Sequence, residues 1–106
     1  MDEGADPSSP SNPYTRELVV GVEAHHERLD QIIGDYASGW SLDRMPAVDR
    51  NVLRLGIYEV LFVSDVPDAV AVSEALALVS DLSTDDSPQY VNGILGAVVR
   101  DKAQLI

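Results

Sequence analysis

Trp40-Ser41-Leu42-Asp43-Arg44-Met45-Pro46-Ala47-Val48-Asp49-Arg50-Asn51-Val52-Leu53-Arg54-Leu55-Gly56-Ile57-Tyr58-Glu59-Val60-Leu61-Phe62-Val63 is the stretch that decides the fold. Its spacing predicts a helix from near Pro46 to about Val63. On a wheel turning about 100° per residue, one apolar arc collects Val48, Val52, Leu55, Phe62 and Val63. A second, on the far side, collects Leu53, Ile57, Val60 and Leu61. Only a narrow strip of Arg50, Asn51, Arg54 and Tyr58 is polar. A helix that is apolar on two sides has to pack against more than one neighbour or against a partner, so this one is predicted to be central. Glu59 falls inside the first arc, flanked by Val52, Leu55 and Val63. Burying a carboxylate is costly unless something pairs with it. Glu59 therefore belongs either to an internal ion pair or to the exposed margin of the arc, or else it marks an arc left open for a basic partner.

Downstream, Asp65-Val66-Pro67-Asp68 reads as a turn, because proline interrupts the helix. Ala69 to Leu82 is predicted to be amphipathic, with Ala71, Val72, Ala75, Leu76, Leu78, Val79 and Leu82 on one face and Ser73, Glu74, Ser80 and Asp81 opposite. Ser83-Thr84-Asp85-Asp86-Ser87 is a loop, and Ser87-Pro88 reads as an N-cap followed by a first-turn proline. The last helix, Gln89 to about Lys102, turns Val91, Ile94, Leu95, Val98 and Val99 toward the core. Gly93 and Gly96 lie on another side and suggest close helix approach despite their low helix propensity.

Upstream, Asn12-Pro13 looks like a further cap-and-proline start. Leu18, Val19 and Val22, then Leu29, Ile32, Ile33 and Tyr36, recur at spacings of three and four. Gly21 and the polar stretch Glu23 to Arg28 predict a bend or a break into two helices. Trp40 is expected to anchor the turn that follows. No segment alternates with period two. The fold class is all-α, a compact bundle of four to five helices with short connections.

The 106 residues leave room for one small domain. Residues 1–12, acidic and then rich in Ser and Pro, are expected to be a disordered leader, with residues 13–106 forming the helical domain. The chain has no cysteine, which excludes disulfides and thiolate metal sites. It has no apolar run of membrane-spanning length, and its acidic start is unlike a signal peptide; the expected location is cytoplasmic, without membrane contact. Eighteen acidic residues against seven basic give a net charge of -11, which repels a phosphate backbone and suits a basic protein partner, while also serving solubility. Adjacent His25 and His26 point about 100° apart on a helix and cannot chelate one metal. There is no glycine-rich phosphate loop, no Cys/His cluster and no nucleophile motif. The reading is a binding protein, not an enzyme, with no cofactor and no metal.

The stretch Trp40 to Glu59 resembles the central helix signature of the NusB family of transcription antitermination factors. Val70-Ala71-Val72-Ser73-Glu74-Ala75, after Asp65-Val66-Pro67, resembles the family's next helix, and Leu82 to Gly96 resembles its closing loop and final helix. The likeness is continuous from Trp40 to about Val99 and looser from Pro13 to Tyr36; the Ser-Thr-Asp-Asp-Ser loop looks actinobacterial. The resemblance implies an all-helical fold of two packed subdomains. It also implies an adaptor that pairs with a small-subunit ribosomal protein doubling as an elongation factor. Together they would bind a single-stranded boxA element in nascent ribosomal RNA and join the RNA polymerase antitermination complex. The residues facing the protein partner would be Asp43, Asp49, Val52, Glu59 and Val63. The wheel independently puts Asp49, Val52, Gly56, Glu59 and Val63 on one side. The RNA side would include Asp86 and Tyr90, with Tyr90 either stacking on an unpaired base or packing in the core.

One departure is marked. The family resemblance implies an arginine-rich N-terminal helix and further helices before the Pro13 region, whereas this sequence opens on an acidic leader. RNA affinity is therefore expected to be weak for the chain alone, and exposed apolar surface is expected to favour self-association into a homo-oligomer. The competing readings are the NusB-like module of a ribosomal RNA cytosine methyltransferase and a truncated fragment without function.

Overall fold

The architecture, a computed structural model that describes residues 13–37 and 41–106, is organised around the helix the sequence marks as central. That helix, α3 (Ala47–Phe62), starts where Pro46, in an extended conformation, fixes the chain direction. It is flanked upstream by α1 (Pro13–Ala24), α2 (His26–Tyr36) and a 3-10 turn (Leu42–Arg44). Downstream come α4 (Asp68–Leu82), α5 (Ser87–Arg100) and a single-turn α6 (Lys102–Leu105). Helix α3 touches every one of the other α-helices. The physical cause is its two-sided apolar pattern: Leu53, Ile57, Val60 and Leu61 are buried on one side, and Val52 and Gly56 on the other. Burying side chains of this size contributes roughly 1.5–3 kcal/mol each. The leader, Asn12 and Trp40 lie outside the described residues.

The predicted break upstream is a genuine junction of two helices. Its hinge is His25, at φ -112° and ψ 19°. Gly21 serves a different purpose from the one its helix-bending reputation suggested. A Cβ there would lie 2.2 Å from both Cζ and Oη of Tyr58, so the missing side chain lets α1 close onto α3. Tyr58 in turn meets the ring of Phe62 at 5.4 Å, and His25 stacks on Phe62 at 4.3 Å. Alanine in place of a mid-helix glycine ordinarily stabilises by about 1 kcal/mol. Gly21→Ala is expected to show no such gain, because Tyr58 has to move. In a Tyr58→Ala background the gain should return, and a double-mutant cycle on urea-unfolding free energies measures it.

Two patterns in the sequence play out differently in space. In α4, Ala71, Ala75 and Val79 are buried, but Leu78 and Leu82 are 44% and 63% exposed; seven apolar residues cover too wide an arc for α3 and α5 to hide. In α5, Gly93 and Gly96 face open space, with nothing near an added Cβ. The close approach occurs instead at Gly56 of α3, where Leu95 and Ala75 stand at 3.2 Å and 3.7 Å. Segments distant in sequence are fastened by polar links. Tyr36 donates to Asp101 at 2.7 Å, and Arg54 grips Asp30 through Nε and Nη2 at 2.7 Å and 3.0 Å.

Candidate partner-binding face and closing loop

Helices α1 and α4 stand on either side of one face of α3 and leave a cavity of about 210 Å³ between them. Its walls are apolar: Leu18 from α1, Val52 and Leu55 from α3, and Ala75 and Leu78 from α4. Glu59 projects into it one turn beyond Leu55, only 7% exposed. The neighbour that satisfies it is Tyr14, whose hydroxyl donates to Glu59 Oε2 at 2.7 Å. Of the alternatives read from the sequence, an internal partner is present, but it is a neutral donor from α1 and not a cation. Among the described residues no lysine or arginine pairs with Glu59 or with Glu74, the exposed second carboxylate at the rim.

Burial is the main reason the Glu59 carboxyl is pushed above its ordinary value; the negative charge of Glu74 adds to it, and the Tyr14 hydrogen bond works against it. Burial and the bond to Glu59 likewise raise the Tyr14 phenol. A carboxyl with a raised folded-state pKa costs nothing while it is protonated in both states. Its cost appears as pH climbs from about the ordinary value, 4.5, through the folded one. The chain should accordingly lose some stability over that climb. Glu59→Gln should flatten the loss and be roughly 1 kcal/mol more stable at neutral pH, as read from urea-unfolding midpoints at several pH values.

Of the other partner-facing candidates, Asp43, Asp49 and Val63 do not gather at this cavity. Val52 does, at 6% exposure. Val63 is half-buried at the C-terminal cap of α3, and Asp43 is exposed on the 3-10 turn. Asp49 faces inward. It is 0% exposed, and its two oxygens accept from the hydroxyls of Ser83 and Ser87. In this structure it cannot offer its carboxylate to a docked protein.

Those hydroxyls belong to the loop joining α4 to α5. Asp86, exposed, is the N-cap position of α5, and Ser87 is the first residue of the helix, not its cap, with its side chain fully buried. Tyr90 is half-buried one turn on. Its phenol is raised chiefly by burial and secondarily by the charge of Asp49. Sequence reasoning placed Asp86 and Tyr90 here but missed Ser83, Ser87 and Glu74. No local signal marked the serines, because residues 83–86 are not helical and spacing there does not fix which way a side chain turns.

The basic residues are mostly committed within the chain. Besides Arg54 on Asp30, Arg100 pairs with Asp101 and Lys102 with Asp68. Arg50 donates to the carbonyls of Leu42 and Met45, and Arg28 to that of Leu105. Such cations are poorly placed to follow a phosphate backbone. No helix among the described residues is long and apolar enough to cross a membrane.

Comparison with known proteins agrees with this architecture. The family model described as the NusB family matches residues 2–100. A transcription antitermination protein NusB from Nocardioides sp. is 63% identical over 101 residues, which cover 95% of this chain and 75% of the relative. One from Beutenbergia cavernae is 60% identical over 92 residues, 87% of this chain and 60% of the relative. Among solved structures, T. maritima NusB superposes with a TM-score of 0.85 at 36% identity, covering 97% of this chain and 71% of that one. A chain in the crystal structure of a plectonemic RNA supercoil superposes at 0.81 with 30% identity, over 92% of this chain and 71% of that one.

Proposed function

Because the chain belongs to the NusB family, we propose that it acts in transcription antitermination as an adaptor, not as an enzyme, docking a basic small-subunit ribosomal protein on the α1–α3–α4 face. The pair then engages boxA-type single-stranded RNA through the closing loop. The observation that carries this reading is the cavity itself. Two carboxylates, Glu59 and Glu74, border an apolar-walled recess that, among the described residues, holds no lysine or arginine. A lysine or arginine side chain suits such a recess, since its aliphatic stem can lie along Leu18 and Leu55 while its head meets the carboxylates. The net charge of -11 steers a basic partner toward it. The same charge, with most cations already bonded within the chain, disfavours RNA binding by the chain alone.

Calorimetric titration of the chain with the ribosomal-protein partner, with and without boxA RNA, tests the reading. Expected is tight binding of the protein, and RNA binding only in its presence. A chain that bound the RNA alone as well as the pair does would contradict the adaptor role. A chain that bound neither would remove the docking face from consideration.

A further inference from the structure

We propose that Asp49 is a positioning residue, which holds the closing loop and the first turn of α5 in the one arrangement that presents Asp86 and Tyr90. Asp49 lies in the first turn of α3, yet it is bonded to side chains 34 and 38 residues away in sequence. Ser83 caps the end of α4, its N–H donating to the Val79 carbonyl, and Ser87 begins α5. One carboxylate thus ties together the start of α3, the end of α4 and the start of α5.

The bonds in the cluster have only one consistent direction. A serine hydroxyl has a single proton to give, and a carboxylate only accepts. Ser87 gives its proton to Asp49 Oδ2 at 2.7 Å, and Ser83 gives its own to Oδ1. Thr84, 2.8 Å from Ser87 Oγ, must therefore be the donor in that pair. The Ser83 and Ser87 oxygens, 3.1 Å apart, have no proton left for each other. Thr84 is in the loop itself, and the Ser87 N–H donates to its carbonyl at 3.1 Å. The carboxylate thereby orients Ser87, Ser87 orients Thr84, and the turn leading into Asp86 is set from both its backbone and its side chains. Tyr90, whose phenol feels the charge of Asp49, is carried on the same turn of α5.

Asp49→Asn keeps the volume and exchanges one acceptor for a donor. One serine then has to turn its proton away, and where that serine is Ser87 its bond with Thr84 must rearrange too. The test measures amide hydrogen exchange in the full chain, together with binding of labelled single-stranded boxA RNA in the presence of the ribosomal-protein partner. Expected for Asp49→Asn is faster exchange over residues 84–90, unchanged exchange in α2, and RNA affinity lower by about tenfold at unchanged affinity for the ribosomal protein. Ser87→Ala should give the same pattern, and it carries the test if Asp49→Asn does not fold. Leu29→Ala, a core truncation on α2, should lower global stability and leave RNA affinity intact. Unchanged exchange over 84–90 in both loop variants overturns the proposal. So does a loosened loop with undiminished RNA affinity, or an RNA loss in Leu29→Ala equal to that in Asp49→Asn. The RNA part rests on the adaptor reading. If the unsubstituted chain with its ribosomal-protein partner binds no RNA, that reading of the loop fails, and hydrogen exchange alone decides whether Asp49 holds it.

Discussion

Removing both carboxylates from the α1–α3–α4 recess, as Glu59→Gln/Glu74→Gln, is expected to weaken binding of a basic ribosomal-protein partner by about a hundredfold. The size follows from where the charges sit. Glu59 is nearly inaccessible beneath apolar walls, so a cation that reached it would be stripped of water and would depend on the carboxylate to replace that hydration. Loss of the carboxylate leaves such a cation buried and unpaired, and the penalty falls mainly on the dissociation rate. Glu74 is exposed at the rim, and its loss should act more on association rate and on salt dependence. The double variant should fold normally, since the carboxamide at position 59 still accepts from Tyr14 and carries no charge to desolvate. Binding and stability are therefore expected to move in opposite directions, a pattern common where a site is kept polar for its ligand. Calorimetry of the double variant against the partner decides it: an unchanged Kd would mean that this recess is not where the partner binds.

Asp49→Ala should be among the most destabilising single changes in the chain, costing about 3 kcal/mol. Two charge-assisted hydrogen bonds disappear from a site with 0% exposure, and the Ser87 hydroxyl, equally inaccessible, loses its acceptor. Asp43→Ala, on the exposed 3-10 turn, should by contrast stay within about 0.5 kcal/mol of the unsubstituted chain. Urea-unfolding midpoints of the two variants at neutral pH make the comparison. A cost for Asp49→Ala no greater than that for Asp43→Ala would mean that the buried cluster contributes nothing net to stability.

The two acidic residues show where sequence reading reaches its limit. Periodicity identified α3 as the central helix and its buried side correctly, because the pattern of Leu53, Ile57, Val60 and Leu61 leaves a helix no other stable placement. The same wheel put Asp49 and Glu59 on one side, and both are indeed covered. What a wheel cannot supply is the covering element. Tyr14 over Glu59 and the serines over Asp49 come from segments 34 to 45 residues distant, and nothing local in α3 encodes them. The same gap explains Gly93 and Gly96, whose spacing looked like a packing surface while the tight contact fell on Gly56. Leu78 and Leu82 failed in the opposite sense: hydrophobicity alone does not say which apolar residues a finite set of neighbours can hide.

The central position of α3 also governs the order in which the protein can be made. Helices α1 and α2 precede α3 in the chain, and apart from each other and the 3-10 turn their principal packing partners are α3 and α5. A 12-residue helix such as α1 is marginal in water by itself. A nascent chain therefore releases two helices whose supporting surface has not yet been synthesised, and Leu29, Ile32 and Ile33, buried in the folded chain, are still uncovered. Helices α3, α4 and α5 are consecutive neighbours and can form a nucleus quickly from nearby contacts. The link from Tyr36 to Asp101, 65 residues apart, can close only after α5 has been made. Helices α1 and α2 are thus made before the surface that secures them, and in that interval the nascent chain is most open to chaperones and proteases.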